Sequence, residues 1–362
     1  MAYAPWIKTA STINSTFSHS AINGIAADGA GNAWVSDGVN TVALVRISDG
    51  TVLVTITLTG QRPVPVCIAP DGSIWVGLTS GTGHVTKQIQ TFSATGVPIA
   101  SFNLPPDDNM LPFLIETDGT NMYVYAVETT ATVFEMTTAG TILHTYATPN
   151  NKGISGMAVT PTNVWISDTG GNLYRLDKSL NLLATFPLGT YPSPAASGVV
   201  CGPTWDGKYL WLTDETSVIW QLSGDGILLK SFYPDSTWYY PGGYTGAGTM
   251  LMWDGTFVWI GVYTPNGETP MVVLIDPATD TLYGPFQIPA LPDGDFVWMN
   301  LAPGSGILSI VPYPAGFPSS FYSLLSYMPP AVTVPTPLPY VILPYHFQAC
   351  TYVARNPRKL CN

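Results

Sequence analysis

Trp34, Trp75, Tyr123, Trp165, Trp211, Trp259 and, in a fainter copy, Leu308 each sit at the centre of a short strand-like run, at intervals of 41, 48, 42, 46, 48 and 49 residues. About four apolar runs of strand length fit into each interval. A period of roughly 40–50 residues with four strands per repeat is how a β-propeller shows itself in sequence. The period therefore predicts an all-β fold, a seven-bladed β-propeller whose blades surround a central channel.

One repeat shows the local logic. Gly24-Ile-Ala-Ala27 reads as an inner strand, Asp28-Gly-Ala-Gly31 as a tight turn and Asn32-Ala-Trp-Val-Ser36 as the second strand. Asp37-Gly38 then leads to the alternating run from Thr41 to Ile47, and Asp49-Gly50 to the run from Thr51 to Leu58. Asp-Gly suits such turns because glycine takes positive φ without strain and the carboxylate can accept from the turn's own backbone. The pattern returns at Cys67-Ile-Ala-Pro-Asp-Gly-Ser-Ile-Trp-Val76, at Thr204-Trp-Asp-Gly-Lys-Tyr-Leu-Trp-Leu-Thr-Asp214 and at Met252-Trp-Asp-Gly-Thr-Phe-Val-Trp-Ile260.

The last copy, from Phe296 to about Tyr327, holds three strand signals and then meets Pro329-Pro330, so its fourth strand is missing. The strand-like residues 9–17 have no other partner and are expected to supply it, closing the ring and removing sheet edges. This divides the chain into an N-terminal closing strand (1–20), a propeller domain (21–327) and a Pro-rich extended C-terminal arm (328–362).

Trp34-Val-Ser-Asp37, Trp165-Ile-Ser-Asp168 with Gly171-Asn172, and Trp211-Leu-Thr-Asp214 resemble the NHL, YncE and SMP-30-like propeller repeats. In those repeats a Leu-Trp-Val type of strand runs into Ser/Thr-Asp and then a Gly-Asn turn. The resemblance covers about residues 20–327. It implies architecture and no single activity, because the family mixes lactonases, lyases and pure binding platforms. The Trp-Asp pairs at Trp205 and Trp253 are followed by glycine and sit in turns, unlike a WD40 signature.

Only 10% of residues are charged, against about 25% in an ordinary soluble protein, so Thr, Ser, Asn, Gly, Tyr and Pro must cover much of the surface. The net charge is −11, and the 12 Lys and Arg are scattered. A nucleic-acid partner would need a clustered basic surface and is not expected. The N-terminus lacks a basic region followed by an apolar stretch, so no secretory signal is expected in the chain. Pro and Gly interrupt every apolar run, so no membrane span is expected. Cys67 and Cys201 fall in inner strands and read as unreactive thiols. Cys350 and Cys361 could close a small disulfide loop in the arm, and spacing alone does not decide it.

The arm carries a separate message. Six prolines stand between Pro329 and Tyr345, which excludes a helix or a central strand and predicts an extended, polyproline-like segment. Its apolar side chains, above all Leu338, Tyr340, Ile342 and Tyr345, suit docking on a protein surface. Other subunits of an assembly are the expected partner, and packing back on the chain's own seventh blade is the alternative. Arg355, Arg358 and Lys359 make its end basic on an acidic chain.

Residue sets for catalysis are hard to find. The four histidines, His19, His84, His144 and His346, do not recur at inner-strand positions and show no metal-ligand spacing. Nine of the eighteen aspartates stand in Asp-Gly turns, where capping suffices as a role. Glu116, at the end of the third inner strand, is the one acidic residue placed to face the channel, and pairing with a backbone amide is its default role. Asp37, Glu128, Asp168, Asp214 and Glu215 follow second strands on the face that also carries the links between blades, so an acidic ring there is conceivable. The aromatic run Trp238-Tyr239-Tyr240, with Tyr244, sits in a link on that face and offers rigid contact area to a ligand or glycan; plugging the gap between two blades is its structural alternative. Trp238, Tyr239, Tyr240, Tyr244, Asp168 and Asp214 are the candidate ligand contacts. No catalytic residue, metal or cofactor is assigned.

These readings point to a non-enzymatic structural or binding propeller on a larger assembly, located at a virion or extracellular surface. A phage capsid-decoration or tail component anchored by its arm is the leading form. An SMP-30-like lactonase or lyase, and a monomeric carbohydrate-binding propeller, are the alternatives.

Overall fold

A computed structural model describes residues 7–12 and, with breaks at loops, residues 24–327; the longer stretches outside the described residues are 13–23, 81–87, 189–199, 233–250, 264–269, 288–295, 313–322 and 328–362. The chain begins with β1 (Ile7–Thr12). Sheet 1 follows as β2 (Gly24–Ala27), β3 (Asn32–Ser36), β4 (Thr41–Arg46) and β5 (Val52–Thr57). Sheet 2 is β6 (Gln61–Ile68), β7 (Ile74–Ser80), β8 (Gln88–Phe92) and β9 (Pro98–Asn103). Sheet 3 is β10 (Leu111–Thr117), β11 (Met122–Val127), β12 (Ala131–Met136) and β13 (Ile142–Ala147). Sheet 4 is β14 (Ile154–Val159), β15 (Asn163–Asp168), β16 (Asn172–Asp177) and β17 (Leu182–Pro187). Sheet 5 is β18 (Val200–Trp205), β19 (Leu210–Asp214), β20 (Ile219–Leu222) and β21 (Leu228–Phe232). Sheet 6 is β22 (Leu251–Trp253), β23 (Val258–Tyr263), β24 (Pro270–Asp276) and β25 (Thr281–Gln287). The last sheet holds β26 (Phe296–Ala302), β27 (Ile307–Pro312) and β28 (Ser323–Tyr327).

Sheets 1 to 6 are antiparallel meanders, and the last is a three-stranded meander with one further antiparallel strand, β1. The first strands β2, β6, β10, β14, β18, β22 and β26 each touch the next, and β26 touches β2, so they form a closed inner ring. β14 and β18 approach so closely that a Cβ on Gly156 would lie 2.0 Å from Gly202 Cα. The turns between first and second strands and those between third and fourth strands share one end of the ring.

β1 is the outer strand of the last sheet, in the order β1-β28-β27-β26, with Ile7 opposite Tyr327 and Thr12 opposite Ser323. It begins two residues before the expected 9–17. Its partner supplies the reason: β28 has five residues, and pairing from Ile7 to Thr12 uses all of them. Residues 13–17 lie outside the described residues.

The periodic aromatics fill the spaces between sheets. Trp34, Trp75, Tyr123, Trp165, Trp211 and Trp259 keep at most 4% of their surface. Trp34 packs with Val66, Ile74 and Val76 of sheet 2, Trp75 with Ile115, Met122 and Val124 of sheet 3, and Trp211 with Leu251, Val258 and Ile260 of sheet 6. Phenylalanines of the fourth strands tilt against them, with Trp75–Phe102, Trp165–Phe186 and Trp211–Phe232 centroids 5.3, 5.8 and 5.7 Å apart. The last turn of the next sheet covers this stack. Gly226 sits there at φ 82, and a Cβ would fall 2.6 Å from Phe186 and 2.9 Å from Trp165.

Candidate functional site: an ionisable row on sheet 3

Directly opposed residues share a face in an antiparallel sheet. Reading across each sheet through its periodic aromatic therefore gives a row of four side chains facing the next sheet. The rows are Ala26-Trp34-Leu44-Val54, Cys67-Trp75-Thr91-Ala100, Ala158-Trp165-Arg175-Ala184 and Thr204-Trp211-Gln221-Lys230, and in backbone register sheet 6 pairs Met252, Trp259, Leu274 and Tyr283 at the same positions. Sheet 3 reads Glu116-Tyr123-Glu135-His144. Every member of that row ionises.

Glu116, nearest the channel, accepts a hydrogen bond at Oε2 from the Val159 backbone N–H across the gap to sheet 4, at 3.0 Å. Burial of its carboxyl pushes the pKa up to about 7, against the pull of that N–H and of the Lys178 ammonium. The same carboxylate adds to the burial that lifts the Cys67 thiol to about 12, so this thiol stays protonated and is a poor nucleophile.

Tyr123 donates its hydroxyl between Asp118 Oδ2 and the Lys178 carbonyl, both at 3.2 Å. Burial first, then the Glu135 and Asp118 charges, push its pKa up. Lys178 lies over the ring at 5.3 Å and pairs with Asp118 at 3.2 Å. Burial alone would raise the Asp118 carboxyl, yet the N–H donors of Asn121 and Thr120, together with Lys178, hold it below its ordinary value.

Farther out, Glu135 is almost wholly buried, and its two oxygens are divided. Oε1 accepts from Asn121 Nδ2 and Oε2 meets His144 Nδ1, each at 2.6 Å. The His144 side chain is 48% exposed. An imidazole held by a buried carboxylate is oriented for proton transfer or ligation. Asp177, in the last turn of sheet 4, is held below its usual range by Asn181 and in part by His144. Among the described residues no group of three His, Cys, Asp or Glu is arranged to hold a metal ion.

The same lateral contact has another chemistry elsewhere. Arg175 of row 4 reaches Asp225 in the last turn of sheet 5 at 2.8 Å, and Lys230 of row 5 pairs with Asp280 in that of sheet 6. There the row is the cation and the turn the anion. At sheet 3 the row brings two carboxylates and a histidine, and the turn of sheet 4 answers with both Asp177 and Lys178.

Of the described residues singled out from sequence, Glu116 belongs to this row and Asp168, Asp37 and Asp214 do not. Asp168 is fully buried, accepting from Gly170 N and Asn172 N at 2.9 and 2.8 Å and from Tyr174 Oη at 2.7 Å, all within sheet 4. Asp37 accepts from Asn40 N and Thr41 N. Asp214 ends β19 opposite Val200. Trp238, Tyr239, Tyr240, Tyr244, Glu128 and Glu215 lie outside the described residues, as do Leu338, Tyr340, Ile342, Tyr345, Cys350 and Cys361 of the arm. Glu116 does take the backbone-amide partner assigned to it as its default. Glu135 and His144 were not singled out as a pair.

No family model matches the chain, and no curated protein matches it in sequence. Among solved structures it is similar to a streptogramin B lyase, with a TM-score of 0.65 and 14% identity over 90% of this chain and 100% of that one. It is also similar to Raptor of Chaetomium thermophilum, with a TM-score of 0.62 and 12% identity over 88% of this chain and 28% of that one. At these identities the likeness shows the fold alone. The chain is an all-β protein of the propeller class.

Proposed function

We propose that this chain is a non-enzymatic propeller, of the NHL, YncE and SMP-30-like kind, that serves as a structural and binding component of a larger assembly. Its seven sheets act as seven blades closed by the N-terminal strand. A virion, with the chain as a capsid-decoration or tail component among other protein subunits, is the setting we assign. The observation that carries this reading is how the turn carboxylates are used. Asp28, Asp71, Asp118, Asp168, Asp177, Asp206 and Asp276 each accept backbone N–H groups of their own turn. Carboxylates committed in this way hold loops in place on a charge-poor surface, as a display platform requires. Mass measurement on the native source material tests it: fixed stoichiometry with another chain is expected, and a free monomer that turns over lactone or elimination substrates overturns it.

A second reading has one observation in its favour. The likeness to a lyase spans that chain's whole length, and the sheet 3 row supplies a carboxyl with a pKa near neutrality, the condition for general acid or base work at neutral pH. Turnover that is lost in Glu116→Gln while the fold persists would establish it.

A further inference from the structure

The fourth strands carry a repeated irregularity. In sheets 1 to 5 the register between third and fourth strands slips by one residue at the same place, between Leu44 and Val45, Thr91 and Phe92, Glu135 and Met136, Arg175 and Leu176, and Gln221 and Leu222. The extra residue of each bulge is Leu53, Ile99, Leu143, Leu183 and Leu229. All five are between 38% and 60% exposed, and Val97, Leu182 and Ile227 beside them are exposed as well.

Single exposed aliphatics are ordinary, but five at one register position are not scatter. They form a dotted apolar belt around the rim, at the end of the ring that holds the turns between third and fourth strands. The belt stops at sheet 6, where Leu274 and Ile275 pair in step with Tyr283 and Leu282 and Leu282 is buried. It does not continue in β1 either, where the extra residue is Lys8.

The chain itself supplies an occupant. β28 is a third strand, so it ends at Tyr327 on that same end of the ring, beside sheet 1, whose β2 touches β26. From there residues 328–362 remain. Extended at about 3.1 Å per residue they reach ~110 Å, while neighbouring blades at the rim stand on the order of 20 Å apart, given sheets ~10 Å apart that diverge over three strand spacings of ~4.8 Å. The apolar part of the arm, from Val332 to Tyr345, begins within reach of Leu53 and ends within reach of Leu143. Its basic end, with Arg355, Arg358 and Lys359, would then lie over a body that makes the chain −11 overall.

We infer that the rim belt is the docking track of the chain's own C-terminal arm, which leaves the last sheet toward sheet 1 and lays Val332, Val334, Leu338, Tyr340 and Ile342 against Leu53, Val97, Ile99 and Leu143. Polyproline-like segments suit such a track, because little conformational freedom is lost on docking and side chains project at intervals. The inference concerns the isolated chain and takes the arm as docked on its own molecule in place of other subunits, while an assembly held by other surfaces stays compatible with it.

The test uses the full-length protein and a rim variant combining Leu53→Ser, Ile99→Ser and Leu143→Ser, whose fold is checked by near-ultraviolet circular dichroism. Cleavage tracks the population of the undocked arm, so chymotrypsin should cut after Tyr340 and Tyr345 at least about ten-fold faster in the variant. A photo-crosslinking amino acid at Leu338 in the otherwise unaltered chain should react, at high dilution, with the peptides carrying Leu53, Ile99 or Leu143 of the same molecule. Equal cleavage rates overturn the proposal, and so do crosslinks to a second copy or to another polypeptide. If the triple variant unfolds, Ile99→Ser alone is read in the same two assays.

Discussion

The seam between sheets 3 and 4 and the seam between sheets 4 and 5 occupy equivalent places and differ in how much of each is ionisable. At the second, Trp165 lies against Phe186 under Gly226, with Ala158 and Ala184 at the ends of its row and the Arg175–Asp225 ion pair at its outer side. Its indole Nε1–H is buried without a hydrogen-bond partner among the described residues. At the first, Tyr123 replaces the tryptophan and its hydroxyl is satisfied, while Glu116, Glu135 and His144 stand where sheet 4 has Ala158, Arg175 and Ala184. A mainly apolar seam tolerates an orphaned indole donor because burial and ring contact outweigh it. The polar seam has more groups that need partners, with the Tyr146 hydroxyl buried without one among the described residues, and it gains sensitivity to pH.

Four substitutions would break or sharpen this contrast. The largest effect belongs to the apolar seam: Trp165→Ala should cost roughly 3–5 kcal/mol, read from denaturant midpoints. A loss under about 1 kcal/mol would show that the ring contributes little packing. Gly226→Ala comes next, at about 2–3 kcal/mol, because it adds a strained positive φ to a collision with Phe186 and Trp165. Its control is Gly207→Ala, where φ is 96 and nothing lies within 4 Å of the added Cβ. Strain alone should cost about 1 kcal/mol there, and equal losses would deny the close packing of the sheet 5 turn.

On the polar seam, Tyr123→Phe removes one hydroxyl and should cost about 1 kcal/mol, mainly through the group left behind on Asp118. A neutral result would mean that Lys178 and the Thr120 and Asn121 N–H groups satisfy that carboxylate without the tyrosine. Glu116→Gln has the smallest effect at acid pH. Between the unfolded value near 4.5 and the folded value of about 7 the native state holds more protons than the unfolded chain, so parental stability should fall as pH rises through that window. The glutamine variant should lack that fall. Matched pH profiles from pH 5 to pH 8 would remove Glu116 as a titrating group.

The aromatic period made the fold legible, because a large ring buried between sheets is needed once per repeat whatever the loops do. Glu116 was legible for a related reason, since the first turn is short and it precedes Tyr123 by seven residues. Its partners were not. The third residue of the row follows the aromatic by 10 residues at Leu44, 16 at Thr91, 12 at Glu135 and 15 at Leu274, so variable loops conceal a constant register. The rim bulges were hidden similarly, because one extra residue in a fourth strand looks like any other aliphatic residue in a strand.

The pairing of β1 with β28 has a consequence in time. Ile7 leaves the ribosome well ahead of its partner Tyr327, which follows 320 positions later. At roughly 5–20 residues per second that gap lasts on the order of 15–60 s. Throughout it the newborn chain carries a strand with no mate while the intermediate sheets take shape. The long loop itself is inexpensive to close, since its entropy grows only with the logarithm of length. What the delay exposes is an open edge competing for any other strand nearby, so the vulnerable moment in the life of this protein falls before its synthesis is complete.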